Sequence, residues 1–181
     1  MDVNGLLLKR VPHSSKIGGC ETYQVGIHMV YMRPKVREFL HFVTTRFRCA
    51  IWSSVARHNL MSLLQILFKE SSLSKDSFCF IYDQSKCLAI PYSHPDKPHV
   101  KLLTKLISSI EVPLDIYNTL LIDDTPEKAL FNMTGTCISP PPYDASSDYD
   151  MLVSKLIPYL TTLYYSRISV LHEFVIQNPF V

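Results

Sequence analysis

Three short apolar runs, each closed by an oxygen-bearing residue, constrain this chain most. Cys49-Ala50-Ile51-Trp52 runs into Ser53, Phe78–Tyr82 into Asp83, and Thr119–Ile122 into Asp123-Asp124. Runs this short and this apolar are strands buried on both faces. Between them lie stretches with apolar residues at helical spacing. Strands alternating with helices build a mostly parallel sheet covered on both faces, and ligands of such sheets bind beyond the carboxyl ends of the strands. The predicted fold is therefore α/β, with Ser53, Asp83, Asp123 and Asp124 on one rim. Asp2, close behind the first residue, joins them if residues 2–9 are the end of a strand.

The remaining elements follow from periodicity. Tyr23, Val25, Ile27, Met29 and Tyr31 alternate, which predicts one half-buried strand over Thr22–Met32. Arg33-Pro34 opens a helix carrying Val36, Phe39, Leu40, Val43 and Phe47. A second helix is expected from about Ala56 to Glu70, a third from about Pro98 to Ile110, and a short one over Glu127–Phe131 after Pro126. Asp83–Asp96 reads as a long loop, Cys137-Ile138 as a last strand, and Tyr149–Ile176 as helical with an interruption at Pro158. No repeat or boundary is visible, so residues 1–181 read as a single domain, a length that accommodates one sizeable core.

Composition narrows the function classes. A formal charge of +2 is too mild for a nucleic-acid footprint, which needs a clustered basic face. Cys20, Cys49, Cys79, Cys87 and Cys137 are scattered and odd in number, which reads as reduced, buried thiols in an intracellular compartment. No apolar stretch approaches the roughly 18 residues a membrane span needs, and no targeting leader is visible. The seven histidines show no metal-ligand spacing. Gly18-Gly19 reads as loop, and Lys9, Arg10, Arg33, Lys35 and Arg37 as a solvated face.

The rim residues point to phosphate. Asp2, Asp123 and Asp124 would supply hard oxygen donors suited to Mg²⁺, and Mg²⁺ suits phosphoryl groups. Asp2 is the candidate nucleophile, because a carboxylate can attack phosphorus once a cation neutralises the approaching anions. Ser53 would donate to a phosphoryl oxygen. A lysine completes the set, with Lys97 first choice and Lys101 and Lys105 as fallbacks. Asp124 would ligate the metal, and Asp123 would orient the lysine or a metal-bound water. The simpler reading makes each acid a turn former and Ser53 or Ser54 a helix cap.

These segments together resemble the haloacid-dehalogenase superfamily, in its branch of Fcp/Scp-type phosphatases that act on the RNA polymerase II C-terminal domain. DVNGLL is similar to the motif D-x-D-x-T, RPKVREFLHFVTTRFRCAIWSS to the R-P segment leading to a Ser/Thr motif, and DKPHVKLL to the lysine motif. LLIDDTPEKALFN, with its trailing Asn132, is similar to the D-D/N-[ST]-P motif, and QNPF to the end of plant-type members. The likeness runs from position 2 to position 180. It implies a three-layer Rossmann-like core with a small β insertion and no large cap domain. It also implies Mg²⁺ held by Asp2, the main-chain carbonyl of Asn4, and Asp124, with nuclear location by analogy.

Two departures shape the expected activity. Asn4 stands where the family's second Asp protonates the leaving group and then activates water, work worth roughly 10²–10⁴-fold. Leu6 stands where the motif has Thr. The expected function is a weakened Mg²⁺-dependent phosphoserine phosphatase acting on a phosphoprotein through an aspartyl-phosphate. The alternative is a catalytically degenerate peptide-binding module of the mitochondrial inner-membrane presequence translocase type. Only Met1 precedes Asp2, so the apolar strand expected ahead of the nucleophile would be truncated, leaving neighbouring strand edges exposed.

Overall fold

The computed structural model describes residues 1–13, 22–90, 99–108, 115–146, 149–166, 168 and 170–181. Two parallel strand pairs form its centre. β4 (Ile51–Trp52) pairs with β5 (Ile81–Tyr82), and β8 (Leu121–Ile122) with β9 (Cys137–Ile138). Met1-Asp2 lies between the pairs. The Met1 ammonium donates to Ala50 O (2.8 Å), Trp52 N–H donates to Met1 O (3.0 Å), and Asp2 N–H donates to Ile122 O (2.9 Å). The first two bonds have the slanted pattern of a parallel ladder. Asp2 therefore sits at the carboxyl end of a central strand position, beside the residues that follow β4 and β8.

The chain then turns through Gly5–Leu7 and enters β1 (Leu8–Pro12), which pairs antiparallel with β3 (His28–Met32). Here the structure corrects two expectations. Residues 8–12 form a strand of their own, and the stretch expected as one strand over Thr22–Met32 is a hairpin of β2 (Thr22–Val25) and β3. Gly26 takes φ +58°, so Val25 and His28 pair across a two-residue turn. The turn switches the alternation from one face to the other: Tyr23 and Val25 lie on the face of Val30, Met29 and Tyr31 on the opposite face, and Ile27 at the tip is 77% exposed.

α1 (Val36–Arg46) and α2 (Arg57–Ser71) follow the expected spacing and bury Phe39, Leu40, Val43, Leu60, Leu63, Leu64 and Leu67 in one core with Val3, Leu6, Leu7 and Ile51. The third helix starts later than expected. His99–Val100 is a strand, β7, paired antiparallel with β6 (Leu88–Ala89), and within the described residues α3 covers Leu103–Ser108. The expected long loop after Tyr82 contains β6 and a short turn of helix over Gln84–Lys86. Pro158 does not break the last helical region. A π-turn over Leu152–Leu156 passes into α4 (Ile157–Tyr165), the Ile157 N–H reaching back to Leu152 O. A proline needs no acceptor for its own nitrogen, so it is accommodated where the ladder already shifts register. The break comes after Tyr165, before α5 (Leu171–Gln177). Among the described residues no helix is long and apolar enough to cross a membrane.

Candidate phosphoryl-transfer site

Asp2, Asp123 and Asp124 converge: each offers an oxygen, and these atoms lie within 4.8 Å of one another. The sheet explains why. Asp2 and Asp123 follow directly on neighbouring strand positions, and Asp124 is the next residue of the second. Asp2 is 1% exposed and Asp123 is fully buried, so both charges need compensation.

Two lysines supply it. Lys101 Nζ lies 2.9 Å from Asp2 Oδ1 and 2.6 Å from Asp123 Oδ2. Lys128 Nζ lies 3.1 Å from Asp2 Oδ2 and 3.4 Å from Asp123 Oδ1. Burial alone would raise the Asp2 pKa, but the ammonium groups of Lys101 and Lys128 outweigh it and hold the carboxyl at about 2. Burial would likewise lower the Lys128 pKa, and Asp2, Asp123 and Asp124 raise it instead.

The first-choice lysine, Lys97, lies outside the described residues. The fallback Lys101 is one of the two lysines found on Asp2, placed there by β7, which ends one residue earlier. Asn132 clamps that segment: its Nδ2 donates to Lys101 O (2.7 Å), and its Oδ1 accepts from Leu103 N–H (2.8 Å). Lys105 lies within α3 and takes part in none of the ion pairs of the cluster among the described residues. Lys128, absent from the sequence expectations, reaches the site from a 3₁₀ turn over Pro126–Ala129, and its carbonyl accepts from Lys101 N–H (2.7 Å).

The other rim residues have varied employment. Ser53 is fully buried, and its Oγ accepts from Val55 N–H (3.4 Å). Asp83 is a cap, accepting from Ser85 N–H (2.8 Å) and pairing with the exposed Arg57 (3.4 Å). Asn4 Oδ1 accepts from Arg10 N–H (2.9 Å), which fastens the start of β1. Leu6 is fully buried in the apolar core. Arg33 is not a solvated charge: it is 5% exposed and donates to Gly5 O, Leu6 O and Pro141 O, pinning the turn after Asp2 to the segment after β9. An open cleft of about 450 Å³ beside Cys87 is lined by Arg57, Asp83, Gln84 and His99.

Asp124 differs from its neighbours. Its Oδ1 is buried with no hydrogen-bond partner, and Gly5, at φ +96°, comes so close that a β-carbon there would collide with the carboxylate. Burial, then the charge of Asp2, raise its pKa to about 6. In the unfolded chain it titrates near 3.8. The folded protein thus pays to ionise it: the penalty is absent below pH 4, grows as pH rises, and is complete above about 6. Asp124→Asn should therefore stabilise the metal-free protein by about 2–3 kcal/mol at pH 8, and by almost nothing near pH 4. Urea titrations in chelator at both pH values measure this, and an equal effect at both would contradict it.

Comparison with known proteins bears on the family and the fold. Residues 1–170 match the family described as NLI interacting factor-like phosphatase. The fission yeast RNA polymerase II CTD phosphatase Fcp1, solved with beryllium fluoride, is 15% identical with a TM-score of 0.53, the match covering 93% of this chain and 50% of that one. A second structure of Fcp1, an essential RNA polymerase II CTD phosphatase, is 16% identical with a TM-score of 0.52, covering 79% and 41%. At such identity these likenesses speak for the fold, and this chain spans about half the length of either relative or less. No curated protein matches. A family match over nearly the whole chain, on an α/β fold with its acids at the strand ends, leads to one conclusion: the chain belongs to the NLI interacting factor-like phosphatases, the Fcp/Scp-type branch of the haloacid-dehalogenase superfamily.

Proposed function

We propose that this domain hydrolyses phosphoserine in proteins by attack of Asp2 on phosphorus, slowly and with Mg²⁺. The observation that carries the reading is Asp2 itself. It is a buried carboxylate kept ionised at the end of a central strand, with an ammonium on each oxygen. Attack of a carboxylate oxygen would form an acyl-phosphate and break the P–O bond to serine, whose oxygen takes a proton from water; a second water then releases phosphate and restores Asp2.

The residues fit a divalent cation. Asp2 and Asp124, with the main-chain carbonyl of Asn4, are hard oxygen donors, and the orphaned Asp124 Oδ1 is an acceptor that a cation would satisfy. Mg²⁺ bound there would offset the repulsion between nucleophile and phosphate. Lys101 orients Asp2, and Asp123 holds Lys101. Ser53 could turn its hydroxyl from Val55 to a phosphoryl oxygen. The cleft beside Cys87 would take the polypeptide flanking the phosphoserine. The finer fold, a three-layer core acting as one domain over residues 1–181, belongs to the same proposal.

Asn4 favours a second reading, the degenerate peptide-binding module of the presequence-translocase type. Its side chain serves β1 and can neither give nor take the catalytic proton. One experiment separates the two. Aryl phosphate hydrolysis with Mg²⁺ should be detectable, because a good leaving group needs little protonation, and Asp2→Asn should abolish it. Asn4→Asp keeps an acceptor for Arg10 N–H and should raise turnover about 10²-fold. Equal rates for the unaltered protein and Asp2→Asn would reject the enzymatic reading, and no gain from Asn4→Asp would favour the binding module.

A further inference from the structure

Three carboxylates here face two ammonium groups, and the two lysines are not equivalent. Between them they occupy all four oxygens of Asp2 and Asp123. A divalent cation that ligates Asp2 must share or take an oxygen already held by a lysine. Lys101 is poorly placed to yield. Its side chain is fully buried, and its main chain is tied to Lys128 O and to Asn132. Lys128 is placed to yield. Its side chain is 11% exposed, it hangs from a four-residue turn, and its ammonium is the one felt by Asp124. A long aliphatic stem allows the charged head to swing to solvent while the stem stays packed.

We propose that Lys128 is a built-in cation of the carboxylate cluster, holding Asp2 Oδ2 and Asp123 Oδ1 until a divalent ion displaces it, and so setting how tightly that ion binds. The inference rests on the cation-dependent reading above and deepens it. It gives Lys128 two states: bridging the acids in the ion-free protein, and swung toward the mouth in the loaded one, where its charge can meet an arriving phosphate. In the ion-free protein the charges of Asp2 and Asp123 are then compensated, and among the described residues Asp124 is the acid left without an ammonium. The corresponding cost is weaker affinity, because the incoming ion must break two ion pairs before it gains its own contacts.

Equilibrium Mn²⁺ binding, followed by electron paramagnetic resonance with Mg²⁺ competition, tests this without any activity readout. Lys128→Met should bind Mn²⁺ at least about tenfold more tightly than the unaltered protein, since a unit charge a few ångströms away in a partly buried site is worth that much. Lys128→Arg, which keeps the charge, should not. In the unaltered protein with ¹⁵N-labelled lysine, saturating Mg²⁺ should shift the Lys128 ammonium signal, identified by its loss in Lys128→Arg, more than any other. Unchanged or weaker binding by Lys128→Met, with binding retained by the unaltered protein, overturns the role of Lys128 alone. Absence of binding by both overturns it together with the cation-dependent reading. If Lys128→Met does not fold without an ion, the NMR titration decides: a Lys128 signal unmoved by saturating Mg²⁺ overturns the proposal.

Discussion

Lys101→Met is expected to cost about 3–5 kcal/mol, the loss typical when one partner is removed from a buried ion pair. For a domain of this size that is a large share of total stability. Methionine matches the volume of the aliphatic stem, so packing around it changes little; what changes is that Asp2 and Asp123 are left with Lys128 alone. Asp123 is fully buried and loses its 2.6 Å contact, retaining Thr125 N–H (3.0 Å) and the longer Lys128 contact. The expected readout is a fall in the urea midpoint with unchanged m-value. A compensating change distinguishes charge from packing. Lys101→Met with Asp123→Asn removes one charge of each sign and should recover roughly half the loss, whereas a packing defect would add to it. A loss below about 1 kcal/mol, the scale of an exposed pair, would show that Asp2, Asp123 and Lys101 do not form the buried cluster.

The same cluster shows how far the residues alone could lead. The acids were legible because the rule that finds them is local: a short apolar run fixes a buried strand, and the next residue must lie on the rim. Ser53, Asp123 and Asp124 follow from that rule alone. The lysines were not legible by it. Lys101 does follow a strand, but β7 is two residues long and merges with the helical spacing of Leu102, Leu103 and Leu106, so periodicity placed the helix start too early. Lys97, at the expected helix start beside Pro98, lies outside the described residues. Lys128 stands in the middle of a charged turn, Pro126-Glu127-Lys128, where a solvated lysine is the ordinary outcome; only the fold shows that this turn leans over Asp2. Asn4 and Arg33 escaped for a related reason. Both bond to main-chain atoms, Asn4 at Arg10 and Arg33 at Gly5, Leu6 and Pro141, and main-chain partners leave no signature in side-chain identity.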